Sequence, residues 1–329
     1  MRAKNLSIAF FVVAIFTAFE GCQQIQPYKI LPLGHGLPTT HPVHNAMVFM
    51  ANRLEEKSGG KMKIKIYSDA QLGEERVLTE LIQIGSLAMT KVSASVMTNF
   101  APEYGVLETP YLFKNPEHGY RVMEGPIGKE ILSKGEQFWL RGLCFYDAGS
   151  RSFYTKEKPV LHPDDLKGLK IRVQNSQNMV NMVNTLGGSA TPIPYGELYT
   201  ALQQGVVDGA ENNPPSLFTS RHYEVCKYYS MDQHTSTPDV LIISTRVWNS
   251  LTEQEKTWLQ EAADESAQEQ KKLWAASVQE SMKEMRAAGV EVHTPEKSPF
   301  VDKIAPIIAQ MKEERPEVYT FYQKIKAAE

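Results

Sequence analysis

Four polar residues in the stretch from Asp165 to Asn213 sit where a parallel α/β sheet presents groups to a ligand: Arg172, Asn175, Glu211 and Asn212. The stretch reads strand, helix, strand, helix, strand, and the four fall just inside or just past strand ends, beside the crevice beyond the carboxyl edge. Arg172 alternates with Ile171 and Val173, so it points away from the face those two bury. A planar guanidinium can grip a carboxylate through two parallel N–H···O bonds, which a lysine cannot do. A surface arginine on a strand would look the same. Asn175 and Ser176, however, open a helix carrying Met179, Met182, Val183 and Leu186, and a helix N-terminus offers free amides to an anion. The chemistry described is capture of a small carboxylate.

Other residues could complete such a pocket. Arg151 follows Gly149 and Ser150, past the end of an apolar strand Leu143–Tyr146, where the chain is expected to cross between lobes. It reads either as a second cation for the carboxylate or as a hinge arginine. Asn212 and Asn213 end a strand expected to begin at Val206; they are turn residues or amide readers of hydroxyls. Lys91, Ser93 and Ser95 are expected on one side of a strand, and Glu75 opens a helix, where a carboxylate also suits the dipole. Tyr195, after Pro194, offers an aromatic wall or plain core. His35 joins the candidate ligand contacts.

Catalytic signatures are missing from the sequence. His35, His41 and His44 lack the carboxylate of H-E-x-x-H and any cysteine cluster, so no metal is expected. There is no G-x-S-x-G, P-loop or G-x-G-x-x-G, and Glu197, Asp208 and Glu211 have no evident pairing for acid–base work. Neither a cofactor nor an enzymatic activity is expected.

The elements that must position these residues follow from periodicity. Pro42 opens a helix with Val43, Ala46, Met47, Met50, Ala51 and Leu54 on one face, stopped by Gly59 and Gly60. Met62, Ile64 and Ile66 alternate with lysines, the pattern of an edge strand. A helix with Val77, Leu78, Leu81 and Ile82 and a strand from Leu87 follow. Gly187 to Asn212 repeats this plan in shorter form, suggesting two lobes of related architecture. Thr252 and Glu255 form a capping box for a helix to about Ala288, which at 1.5 Å per residue reaches on the order of 50 Å, more than one lobe. A strand from Val290 and a helix from Pro299 close the pattern.

The 329 residues suffice for two compact lobes, and 42% hydrophobic and 22% charged residues with a net charge of −3 argue against disorder and nucleic acid binding. Arg2 and Lys4 precede the apolar run Ile8–Phe16, and Gly21 precedes Cys22. Residues 1–21 read as an export signal rather than a membrane span. Cys22 fits a lipidated first residue, although Glu20 stands where a small residue is usual; ordinary cleavage nearby is the other reading. One lipid anchor would hold the protein at a membrane without spanning it. Cys144 and Cys226 remain, either paired or as buried thiols.

Five segments carry a resemblance: SGGKMKIKIYSDAQLGEER, FAPEYGVLETPYLF, DLKGLKIRVQNS, GELYTALQQGVVDGAENN and YEVCKYYS. From about Lys29 onward the chain resembles the solute-binding proteins of TRAP transporters, the DctP-type family. The resemblance implies an α/β, two-lobed periplasmic-binding-protein-like fold with mixed sheets, hinge strands and a long helix spanning both lobes. It divides the chain into lobe I at 28–149 plus about 238–277 and lobe II at 150–237 plus about 278–329. It implies a periplasmic protein that closes over its ligand and delivers it to small and large membrane subunits driven by an ion gradient. Arg172 matches the family's carboxylate-binding arginine, Asn175 its neighbour, and Arg151, Asn212, Glu75 and Tyr195 match positions lining the cleft. Members that bind sialic acid carry an acid and an arginine where this chain has Ser93 and Val96. The wording is most similar to hexuronate-binding members, so a sugar acid such as glucuronate or galacturonate is the expected ligand. A lyase-like exported enzyme acting on uronates, with His35 or Tyr195 as base, and a ligand sensor for a signalling partner are the competing expectations.

Overall fold

The computed structural model describes residues 28–328; the expected signal segment and Cys22 lie outside the described residues. Eleven strands form two sheets. In chain order they are β1 (Lys29–Gly34), β2 (Met62–Tyr67), β3 (Met89–Ser93), β4 (Leu140–Tyr146), β5 (Arg151–Thr155), β6 (Lys170–Val173), β7 (Ser189–Pro192), β8 (Gly209–Asn212), β9 (Tyr228–Thr235), β10 (Asp239–Ser244) and β11 (Glu291–His293). The first sheet runs β2-β1-β3-β10-β4 and the second β11-β9-β5-β8-β6-β7. Both are mixed: β1 is parallel to β2 and β3, whereas β10 is antiparallel to β3 and β4. In the second sheet β6 is parallel to β7 and β8, and β5 is antiparallel to β8 and β9. The two-lobed α/β expectation holds.

Local sequence explains the placement of several strands. β2, with its alternating lysines, is an edge strand. β10, Asp-Val-Leu-Ile-Ile-Ser, is buried along its length and lies between two neighbours. β8 begins at Gly209 rather than Val206, which is 48% exposed and sits in the preceding turn. A Cβ at Gly209 would stand 2.3 Å from the Tyr154 carbonyl oxygen, so only glycine lets β8 approach β5 this closely.

Two short connections carry the chain between the sheets, Asp147–Ser150 from β4 to β5 and Ser236–Pro238 from β9 to β10, and the Ser150 and Ser236 hydroxyls meet at 3.3 Å. A 35-residue helix, Glu253–Ala287, runs beside both lobes from the expected capping box at Thr252 and Glu255. Leu259, Ala262, Ala263 and Trp274 pack into a core of the first lobe, and Met285 into the second.

The division of the C-terminal part differs from expectation. The helix from Pro299 is two helices, Ser298–Glu314 and Pro316–Ala327, because Pro316 forces Arg315 out of helical geometry (φ −139°, ψ 67°). Phe300 and Ile304 pack in the second lobe, but Met311, Val318, Phe321 and Ile325 are buried among Val92, Tyr104 and Val240 of the first. Assigning all of 278–329 to lobe II is therefore corrected from Met311 onward. Cys144 and Cys226 are buried free thiols in the cores of different lobes.

Candidate functional site

The candidate residues converge on a cavity between the lobes. The second lobe contributes Arg172 from β6, Asn212 from the end of β8, and Asn175 and Tyr195 from the turns after β6 and β7. The first lobe contributes Lys91 and Ser93 from β3 and Glu75 from the start of the helix Glu75–Ile84. Trp274 of the long helix and Asp239 of β10 complete the wall.

Arg172 is 2% exposed. Its Nε donates to the Ile193 carbonyl at 2.8 Å, and its guanidinium lies 5.8 Å from the Tyr195 ring centre. Its Nη1 is buried without a protein partner. Burial pulls its proton affinity below that of a free guanidinium, yet arginine remains charged in proteins. A buried cation in this state is suited to an external anion.

Arg151 lines the same cavity but its charge is already matched. Its Nη2 donates to Glu211 Oε1 at 2.9 Å and to the Glu211 carbonyl at 2.8 Å, its Nε to Glu211 Oε2, and its Nη1 to Asn212 Oδ1 at 2.9 Å. Of the two readings of Arg151, second cation or hinge arginine, its place on the wall matches the first, but it is an ion pair rather than a free cation, with a single Nη1–H left over. Behind the pair, His234 Nε2 lies 3.5 Å from Glu211 Oε2, and its Nδ1 lies 2.7 Å from Asp232 Oδ2.

This buried chain sets a pH dependence. Burial pushes the Glu211 carboxyl up, but Arg151 and His234 hold it down at about 2. Burial opposes charge on His234, but Asp232 and Glu211 raise it to about 9. Stabilisation from Glu211 is complete above its ordinary 4.5 and is lost as pH falls toward 2. That from His234 is complete below its ordinary 6.5 and is lost as pH rises through about 9. The melting temperature is therefore expected to fall as pH rises from about 6.5 to 9, and His234→Gln is expected to flatten that limb. An equal alkaline slope in the variant, measured by scanning fluorimetry, would contradict the assignment.

On the facing wall, Lys91 Nζ is 2.6 Å from Glu75 Oε1 and 3.1 Å from Asp239 Oδ1. Burial opposes its charge, but Asp239 and Glu75 raise its proton affinity overall. Ser93 caps a short helix, Ala94–Met97, so Ser95 does not continue the strand as expected. The Ser93 hydroxyl faces Gln174 Oε1 of the other lobe at 3.4 Å. Asn99 Nδ2 donates to the Asn175 carbonyl at 2.7 Å, a second bond between lobes. Tyr195 is held by its hydroxyl, which meets Ser220 at 2.7 Å.

His35 is not part of the cavity wall. Its Nε2 meets His44 Nδ1 at 3.0 Å and its Nδ1 accepts from the Leu37 amide, while burial lowers it to about 3, keeping it neutral. The histidine on the wall is His41, which caps the helix Pro42–Lys57 and lies 3.3 Å from the Ser216 hydroxyl. Sequence reasoning also passed over Glu74, Gln174, Asp239 and Trp274. Glu74 could have been found as the neighbour of Glu75 at the helix cap; Asp239 and Trp274 arrive from distant parts of the chain with no local signal.

The described helices include none long and apolar enough to cross a membrane. The sequence model of the DctP family, bacterial extracellular solute-binding protein family 7, matches residues 33–315. A TRAP periplasmic solute-binding protein from Xanthobacter autotrophicus Py2 with bound β-D-galacturonate is 38% identical, with a TM-score of 0.88 over 91% of this chain and 100% of that one. One from Chromohalobacter salexigens with bound D-glucuronate is 36% identical, with a TM-score of 0.89 over 91% and 100% of the two chains. The sialic acid-binding periplasmic protein SiaP of Vibrio cholerae is 30% identical across 90% of this chain and 92% of its own.

Proposed function

The chain belongs to the bacterial extracellular solute-binding protein family 7 and is a TRAP solute-binding protein, and from that premise we propose that its ligand is a hexuronate such as glucuronate or galacturonate. The ligand carboxylate meets Arg172 and the ring stands over Tyr195. Asn175, Asn212, Glu75 and Ser93 receive the hydroxyls, with the spare Arg151 N–H beside them. The carrying observation is the buried, unpartnered Arg172 Nη1 on the cavity wall. Hydrogen bonds that link the lobes beside the cavity, Ser93 to Gln174 and Asn99 to Asn175, favour a closed form around the ligand. Ser93 and Val96 line the cavity where sialic-acid binders are expected to carry charge, which favours a hexuronate over sialic acid.

The protein acts as a binding component without turning over its ligand, in the periplasm, and passes the sugar acid to the small and large TRAP membrane subunits. Lipidation at Cys22 would keep it beside them.

The test is a thermal-shift screen over hexuronates, aldonates, keto-acids and sialic acid. A hexuronate at about 100 times its dissociation constant is expected to add roughly 2.7 kcal/mol to the native state and raise the melting temperature. A screen in which no hexuronate produces a shift would overturn the proposal.

A further inference from the structure

We infer that the cleft accepts a guest with a single negative charge and excludes the corresponding dianion, and that Glu74 is the residue that enforces this. The inference rests on the hexuronate reading and adds to it a rule about charge. Four cations line the cavity, and three already face carboxylates. Arg151 is matched by Glu211, Lys91 by Glu75 and Asp239, and Arg76 by Glu80 at 3.1 Å. Among the described residues of the wall, Arg172 alone has no ion-pair partner.

The opposite wall is acidic. Glu74 stands at the N-cap of the helix Glu75–Ile84, where its side chain makes no capping bond. It reaches instead into the gap between the lobes. A Cβ at Gly196 of the other lobe would lie 2.3 Å from its Oε1, so that glycine leaves room for the carboxylate, while Gly36 of its own lobe lies in ordinary contact range of its Oε2. No cationic side chain pairs with it. Burial, Glu75 and Glu197 raise its carboxyl, opposed by the Gly196 amide and Arg172. A carboxylate of this kind accepts hydrogen bonds and cannot donate them. Sugar hydroxyls satisfy it; a second carboxylate there would face Glu74, with Glu75 and Asp239 behind, and find no unmatched cation.

The rule is tested with four ligands of nearly the same size: glucuronate, glucarate (oxidised at both ends) and the two monoamides of glucarate, which keep the open-chain shape with one charge removed. Like charges in apposition cost several kcal/mol, so glucarate is expected to bind on the order of 100-fold more weakly than glucuronate by calorimetry. At least one monoamide is expected to recover about tenfold or more over glucarate. Glu74→Gln, its fold verified by its melting curve, is expected to narrow the glucuronate-to-glucarate ratio by about tenfold. The ligand-side comparison uses the wild-type protein and does not depend on that variant folding. Glucarate binding within about tenfold of glucuronate, or monoamides as weak as glucarate, would overturn the charge rule while leaving hexuronate capture intact. Failure of glucuronate and galacturonate to bind would overturn the function itself.

Discussion

Arg172→Ala is expected to reduce glucuronate and galacturonate affinity beyond detection by calorimetry. The side chain supplies the cavity's unmatched positive charge, and truncating one partner of a buried charge pair costs about 2–5 kcal/mol or more, roughly 30-fold to several thousand-fold in affinity. Arg172→Lys should recover little. The arginine is held by Nε against the Ile193 carbonyl and leans over Tyr195, and a lysine lacks both the planar fork and that anchoring N–H. Without ligand, Arg172→Ala should be no less stable than the wild type, since removing a desolvated cation without a counter-ion relieves a cost. Loss of binding with retained melting temperature separates a ligand contact from a structural residue. Calorimetry showing undiminished affinity in Arg172→Ala would remove the basis of the proposed function.

The opposite result is expected one strand away. Arg151→Ala leaves Glu211 fully buried with its principal counter-ion gone and only His234, 3.5 Å away, beside it. Breaking a buried pair from one side costs about 3–5 kcal/mol, a fall on the order of 10 °C in melting temperature. Replacing both members, as Arg151→Met with Glu211→Leu, should recover much of this, because a well-packed apolar pair avoids burying either charge. A single variant as stable as the wild type would show that the Arg151–Glu211 contact does not hold the second sheet together. Two arginines on one wall thus differ in kind: one is matched within the protein, and the other has no partner there.

The elements and the place of Arg172 on the cavity wall were legible because their signals are local. A capping box and 3.6-residue periodicity delimited the Glu253–Ala287 helix, alternation marked β2 as an edge, and the Lys-Ile-Arg-Val run placed Arg172. What was not legible depends on contacts between distant segments. Arg151 could be placed near the cavity, but its partner lies 60 residues on. His35 and His41 are equivalent in sequence terms, and only the packing of His35 against His44 and of His41 against Ser216 separates them. Ser95 was misplaced because the hydroxyl of Ser93 ends the strand by capping the next turn. The last helix was given to the wrong lobe because its amphipathic face states that it packs, not where. The break at Pro316 was readable; its consequence, a crossing back, was not.

That crossing has a consequence for assembly. The first sheet's buried strand, β10, and the helix Pro316–Ala327 both return after the chain has traced the second lobe. A chain that emerges N-terminus first can pair β10 with β3 and β4 only after all of β5 to β9 has appeared, and can add the covering helix only after the second lobe is out. Non-local pairing of this sort is slow to form. The wiring of the fold thus makes the first lobe, which the chain begins first, the last to be completed.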